Sequence, residues 1–355
     1  MTTGSARNGT AAMDALSEAA AGIRAATDWL VSRCQDSAFA AAAVAGAYRL
    51  PYALALAGRR ADAARAMSWL ERVALDPSGD LRPGPMRDVF SLRWSSYPLA
   101  ILAQGAWHLE RYQTAEAIRT TLRGFQDERT GGAYAQRPEL RTSRRQDIFP
   151  TAQLGTTGLA LGEPALADGA YRWLARLYEL QPELPDRLYS ATDGERLLCS
   201  PEDVADDRFG MVTEFNQPRQ AFYNPGIAAA FLARYSAARG EPAAAQLAAA
   251  YLELTESGGG QQFDHAESVQ VCKFAWGAAT LLDLTGGSRY RRHAERMVHW
   301  FRSAQHPDGH WENSPFLLPG GPTQASNLEV TTEFLQHLCI VSAALGGAGP
   351  TCDSC

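Results

Sequence analysis

Residues 300–311 read Trp300-Phe301-Arg302-Ser303-Ala304-Gln305-His306-Pro307-Asp308-Gly309-His310-Trp311. An aromatic pair closes a charged, amphipathic run (Arg289 to Ala304), and Pro307 followed by Gly309 forbids the helix from continuing. The same grammar recurs upstream, with an aromatic–Leu pair near a helix end followed by a polar turn. The copies are Trp29-Leu30, Trp69-Leu70, a looser Leu122/Phe125, Trp173-Leu174 and Tyr251-Leu252. Counting residues 300–311, there are six units, and a repeat of this period implies stacked helical hairpins.

After each turn comes a second helix, poor in charge and rich in Ala, Gly, Leu and aromatics: residues 94–110, 149–161, 224–239, 269–285 and 328–345, with the Ala38 to Ala47 stretch supplying another. Several end at a glycine (Gly58, Gly162, Gly240, Gly286), the residue that accepts the left-handed conformation closing a helix. A helix apolar all round is buried and one charged on a single face lies outside. The pattern therefore predicts an all-α fold, an (α/α)6 toroid or barrel with inner and outer helix rings around a central cavity. Residues 1–15 are expected as a disordered arm, 16–346 as one barrel domain and 347–355 as a flexible tail. The Pro-punctuated interval 182–221 is the longest between an outer and an inner helix, and is expected as a lid.

The net charge of −6 argues against nucleic acid or an anionic membrane as partner. No run of about 18 apolar residues offers a membrane span. With no secretory pattern at the start and six scattered cysteines, the expectation is a cytoplasmic protein with reduced thiols. No metal or cofactor motif is present, so a cofactor-independent reaction on a small molecule is expected.

The run Gln305-x3-Gly309-x-Trp311 resembles the QW motif of the squalene–hopene and terpene cyclase superfamily, whose toroid protein prenyltransferases share. Gln126 to Tyr134 is similar to a degenerate copy with Tyr for Trp. There is a looser similarity to six-hairpin sugar epimerases and glucuronyl hydrolases. The resemblance implies the toroid, and with it a terpene-cyclase-like cyclase or isomerase of an apolar substrate; the alternatives are a carbohydrate-active hydrolase, lyase or epimerase, and a non-catalytic binding toroid. Class II cyclases carry an Asp-x-Asp-Asp acid; here the nearest string is Val204-Ala205-Asp206-Asp207, with Val in the first acidic place.

Inner-helix starts ring the cavity mouth in such a barrel, and their polar residues are the candidates. For acid–base catalysis they are Asp147, His265, Glu267 and Lys273; for substrate binding, Trp94, Tyr97, Gln153, Tyr223, Asn224, Trp276, Glu329 and Glu333. Asp147 also reads as a helix N-cap. Lys273 is the lone charge in Val271-Cys272-Lys273-Phe274-Ala275-Trp276 and needs a carboxylate, with Glu267 or Glu329 expected.

Overall fold

The computed structural model describes residues 3–34, 44–84, 89–137, 141, 143–258, 260–264, 271–313, 316–318 and 320–347. Helix α1 (Thr3–Cys34) is followed by a 3-10 segment (Val44–Arg49) that runs into α2 (Leu50–Leu56). Then come α3 (Arg60–Val73), α4 (Val89–Arg93), α5 (Ser96–His108) and α6 (Tyr112–Arg123). Strand β1 (Gln146–Asp147) leads into α7 (Ile148–Ala160) and α8 (Pro164–Glu179). An interlude follows, made of β2 (Arg187–Tyr189), β3 (Ala191–Thr192), α9 (Pro201–Val204), α10 (Arg208–Met211) and β4 (Val212–Glu214). The chain ends with α11 (Tyr223–Arg239), α12 (Pro242–Ser257), α13 (Gln261–Asp264), α14 (Cys272–Thr285), α15 (Ser288–Ala304) and α16 (Gln324–Gly347).

Helices α2, α5, α7, α11, α14 and α16 pack in that order, and α16 returns to α2, closing an inner ring. Each of α3, α6, α8, α12 and α15 packs outside the inner helix that precedes it, and α1 takes the sixth outer place against α16. The (α/α)6 toroid is thus closed by its first and last helices. Sequence patterning explains the two walls. Every residue of α7 from Ile148 to Gly158 is buried, whereas α15 buries only Ala294, Met297, Val298, Trp300 and Phe301 along one stripe.

The inner-to-outer connections are tight, closed by Gly240 and Gly286 in the left-handed region. The outer-to-inner turns repeat a different device. Asp76 N–H donates to Asp80 O, Asp127 to Gly132 O and His306 to His310 O, each over 2.8–2.9 Å. In all three a positive-φ glycine lies against the backbone of a neighbouring outer helix: a Cβ on Gly79, Gly131 or Gly309 would meet Ala117 C, Gly169 O or Ala25 O at 2.2–2.3 Å. Gln305 ties the last turn to α1 by donating to Gly22 O at 3.1 Å, and Trp311 Nε1 donates to Phe301 O at 2.8 Å.

Helix α1 begins at Thr3, within the stretch expected as an arm; no proline precedes residue 34, and Ala11, Ala12, Ala15 and Ala19 favour helix. The turn after α6 does not place Tyr134 where Trp311 stands. Ala133 N–H donates to Thr151 Oγ1 as Trp311 N–H does to Thr331 Oγ1, and the Tyr134 hydroxyl turns to Asp127, because Gln126 to Gly131 is one residue longer than Gln305 to Gly309. The first inner element is 3-10 and then helix from Val44, and residues 38–43 lie outside the described residues. So do residues 348–355, which hold most of the expected tail. Among the described residues no helix is long and apolar enough to cross a membrane.

Candidate functional site

Three buried charges of the inner wall, Arg49, Lys273 and Glu333, meet at one place. Arg49, at the end of the 3-10 segment, is 2% exposed and donates through Nη2 to the Tyr97 hydroxyl at 2.6 Å. The same Nη2 lies 3.3 Å from Glu333 Oε1, and the Lys273 ammonium donates to that oxygen as well. Three elements distant in sequence thus meet at one carboxylate. Gly226 brings α11 up to this point, since a Cβ there would lie 2.4 Å from the Lys273 carbonyl carbon. The ammonium also faces three rings, Phe149 at 5.6 Å, Tyr223 at 5.7 Å and Tyr97 at 5.9 Å, as an aromatic cage would hold a cation. Phe149 and Tyr97 stack at 3.9 Å.

Burial alone would raise the Glu333 carboxyl, but Arg49 and Lys273 reverse this and hold it at about 2. Burial would likewise lower Lys273, and Glu333 keeps it above its ordinary value. Both therefore stay charged near neutrality. Beside them, Glu329 Oε1 accepts from the Tyr48 hydroxyl at 3.1 Å.

One helical turn beyond Glu333 lies His337, fully buried, its ring 5.4 Å from that of Trp276. Among the described residues neither nitrogen of His337 has a hydrogen-bond partner, nor has Trp276 Nε1. Burial pushes the His337 pKa well below its usual range and pushes the Cys272 thiol up. Single ligand atoms of Cys272, Glu333 and His337 lie within 4.8 Å of one another. A second such group, His306, Asp308 and His310, sits in the last turn.

Above the aromatic layer, at the mouth, is a cavity of ≈ 370 Å³. Its wall includes Trp94, three arginines (Arg93, Arg141, Arg145) and three aspartates (Asp203, Asp206, Asp207). The guanidiniums are fixed. Arg93 and Arg145 lie over the Trp94 ring at 5.4 and 5.5 Å, and Arg141 over Tyr134 at 3.4 Å. Asp207 accepts from Arg93 at 2.5 Å and from Arg145 at 2.8 Å. Residues 182–221 build the far side of this wall: β2 pairs with β4 and β3 with β1, and Ile148 N–H donates to Ser190 O at 2.9 Å.

Asp147 occupies the N-cap position of α7 without capping it. Its carboxylate turns instead to Arg145, whose Nε lies 3.0 Å away, and burial raises its pKa. The capping reading is therefore corrected: an adjacent guanidinium competes better for the carboxylate than backbone N–H groups do. Lys273 is on an inner helix beside a carboxylate, and among the described residues that carboxylate is Glu333 rather than Glu329. His265 and Glu267 lie outside the described residues. Trp94, Tyr97, Tyr223 and Glu333 meet around the Phe149 layer. Asn224 donates to Gly210 O at 3.3 Å, holding the 182–221 segment, and Gln153 is buried on α7 one turn below Phe149. Arg49 is not singled out from the sequence, Arg145 reads only as part of the basic cluster 141–145 that could contact an anion, and His337 only as an inner-helix histidine well after its helix start. A signal existed for Arg49, the lone charge between Ala38 and Gly58.

No known sequence family matches this chain, and no curated protein does. Solved structures do. A GH76 α-mannanase of Bacteroides thetaiotaomicron is 13% identical with a TM-score of 0.56, covering 87% of this chain and 86% of its own. The type II terpene cyclase MstE of Scytonema, in complex with geranylgeranyl dihydroxybenzoate, is 14% identical with a TM-score of 0.52, covering 94% and 99%. Dfg5 of Chaetomium thermophilum, in complex with glucosamine, is 14% identical with a TM-score of 0.50, covering 88% and 81%. The toroid resembling terpene cyclases and six-hairpin sugar enzymes is thus established. At these identities the likeness is one of fold, and chemistry has to be argued from the site.

Proposed function

We propose that this protein is an enzyme acting by proton transfer on a small hydroxyl-bearing molecule, sugar-like in its density of oxygens, held in the cavity at the toroid mouth. The observation that carries this reading is the wall of that cavity, where three aromatic-mounted arginines face three aspartates. Some of these charges are already paired, but an apolar ligand would offer nothing to their remaining donors and acceptors, at about 1–3 kcal/mol for each one desolvated and left unmet. A polyol satisfies donors and acceptors of both kinds. Asp206, exposed at the wall, and Asp207, held by two arginines, are the carboxylates within reach of such a ligand. Asp147 sits behind Arg145 and acts as a positioning residue for that guanidinium. Trp94 links this wall to the aromatic layer, packing on Phe149 at 5.6 Å. The GH76 and glucosamine-bound neighbours add support by analogy of fold.

A second reading is favoured by the aromatic layer itself, since Tyr97, Phe149 and Tyr223 are the groups a polyene cyclase uses to shelter a carbocation. Here their faces already meet the Lys273 ammonium, so a carbocation would have to displace or neighbour a fixed positive charge. The oxygen-rich substrate is therefore preferred. Incubation with a panel of α- and β-linked pyranosides and uronides, and in parallel with geranylgeranyl-bearing aromatics, separates the two. The expected result is turnover of a pyranoside or uronide, lowered at least ~100-fold by Asp206→Asn or Asp207→Asn. Turnover confined to the polyene substrates would refute the proposal.

A further inference from the structure

We infer that Cys272, Glu333 and His337 form a binding site for one zinc-class divalent metal ion on the inner wall of the toroid. The inference is independent of which substrate occupies the cavity above. A thiol, a carboxylate and an imidazole, all buried, offer ligand atoms mutually within 4.8 Å. Around a tetrahedral zinc with bonds of roughly 2.0–2.3 Å, ligand atoms stand ~3.3–3.8 Å apart, so small side-chain adjustments suffice. Glu333 and His337 are four residues apart on α16 and share a face, and α14 brings Cys272 from the side.

The second observation is the histidine itself. A fully buried imidazole with no partner on either nitrogen is an unsatisfied group that native interiors rarely tolerate, and an ion is one of the few things that satisfies it. A neutral imidazole is the ligating form of histidine. Glu333 is already a carboxylate. Cys272 is a thiol, so the M–S bond forms as its S–H bond breaks and the proton leaves to buffer. With three protein ligands the fourth position stays open, as in catalytic rather than structural zinc sites.

The neighbouring cations set the character of the site. Lys273 and Arg49 both contact Glu333 Oε1. A divalent ion with one thiolate and one carboxylate has no net charge left to compensate Lys273 and Arg49. The account therefore expects modest affinity, an anionic or hydroxide fourth ligand, and a site that tightens when Lys273 is neutralised.

The test is titration of the full-length, chelator-stripped protein with Co²⁺, followed by competition with Zn²⁺. One equivalent of Co²⁺ should give a thiolate charge-transfer band and intense tetrahedral ligand-field bands. Cys272→Ser should abolish the charge-transfer band, and His337→Gln should weaken binding about tenfold or more. Lys273→Met should tighten it at least about tenfold, a change that a merely structural lysine would not produce. His306→Ala with His310→Ala controls for the group in the last turn and should leave the thiolate band unchanged. Far-UV circular dichroism of each variant separates lost ligands from lost fold, and Lys273→Met keeps the test decisive if Cys272→Ser fails to fold. Absence of the band in both wild type and Lys273→Met overturns the inference, as does a band that survives Cys272→Ser or vanishes with the turn variant.

Discussion

Glu333→Gln is the most informative single perturbation of the inner wall. The wild-type carboxylate faces Arg49 and Lys273, with Tyr97, Cys272 and His337 close by, and its pKa is about 2 against an ordinary 4.5. A gap of about 2.5 units at 1.36 kcal/mol each comes to about 3 kcal/mol of folding free energy. Breaking a buried pair and stranding its cations typically costs ~3–5 kcal/mol, which agrees. The sign follows from the direction of the shift. A carboxyl depressed in the folded state stabilises fully above its unfolded value, and that stability drains away as pH falls through the folded one. Wild-type stability should thus decline between about pH 5 and 2, and the variant should show a shallower decline over that range, since other depressed carboxyls remain, while starting lower at pH 7. With an unfolding entropy near ~0.7 kcal/mol/K for a chain of this size, the loss lowers Tm by about 4–5 °C. Urea denaturation followed by circular dichroism across pH, with a chelator present, measures both. Adding Lys273→Met to Glu333→Gln should recover at least about 1 kcal/mol, because one stranded cation is removed. A variant as stable as wild type at pH 7, with the same acid limb, would refute the reasoning.

Three further outcomes follow from the geometry. Trp311→Ala removes a side chain that is 1% exposed and a hydrogen bond to Phe301 O, so thermal or urea unfolding should show a loss of about 3–5 kcal/mol with activity per folded molecule retained. Gly240→Ala should cost only the left-handed backbone penalty of about 1–2 kcal/mol, since nothing lies within 4 Å of the added Cβ; Gly309→Ala should cost more in the same assay, because its Cβ would meet Ala25 O at 2.3 Å. Asp147→Asn should not lower stability at pH 7. A carboxyl whose folded pKa is raised contributes less stability as pH climbs through it, so a neutral isostere avoids that cost while loosening Arg145 and weakening ligand binding, read together by calorimetry and turnover.

The fold was legible because periodicity acts locally. The stripe of Ala294, Met297, Val298 and Phe301, the apolar run through α7 and the glycine stops are each contained in one segment of chain. The site was less legible because its contacts are not. Lys273 announced itself as a lone charge in an apolar run, yet its partner stands on α16, whose start is separated from it by a whole outer helix and a long turn. His337 looked ordinary in sequence, well inside a helix, and only the closure of α16 against α14 reveals a buried imidazole without partners. Asp147 shows the opposite limit, where a local rule favoured capping and a neighbour two residues away, Arg145, took the carboxylate instead.

The central claim is that the mouth cavity, walled by arginines and aspartates, binds an oxygen-rich small molecule. It is tested most directly by incubating immobilised wild-type protein and Arg145→Met with a cell metabolite extract and identifying the retained compounds by mass spectrometry. The account predicts that wild type enriches polyhydroxylated compounds and that Arg145→Met loses them. Enrichment of prenylated or polyene compounds, or retention of the same compounds undiminished by Arg145→Met, would contradict it.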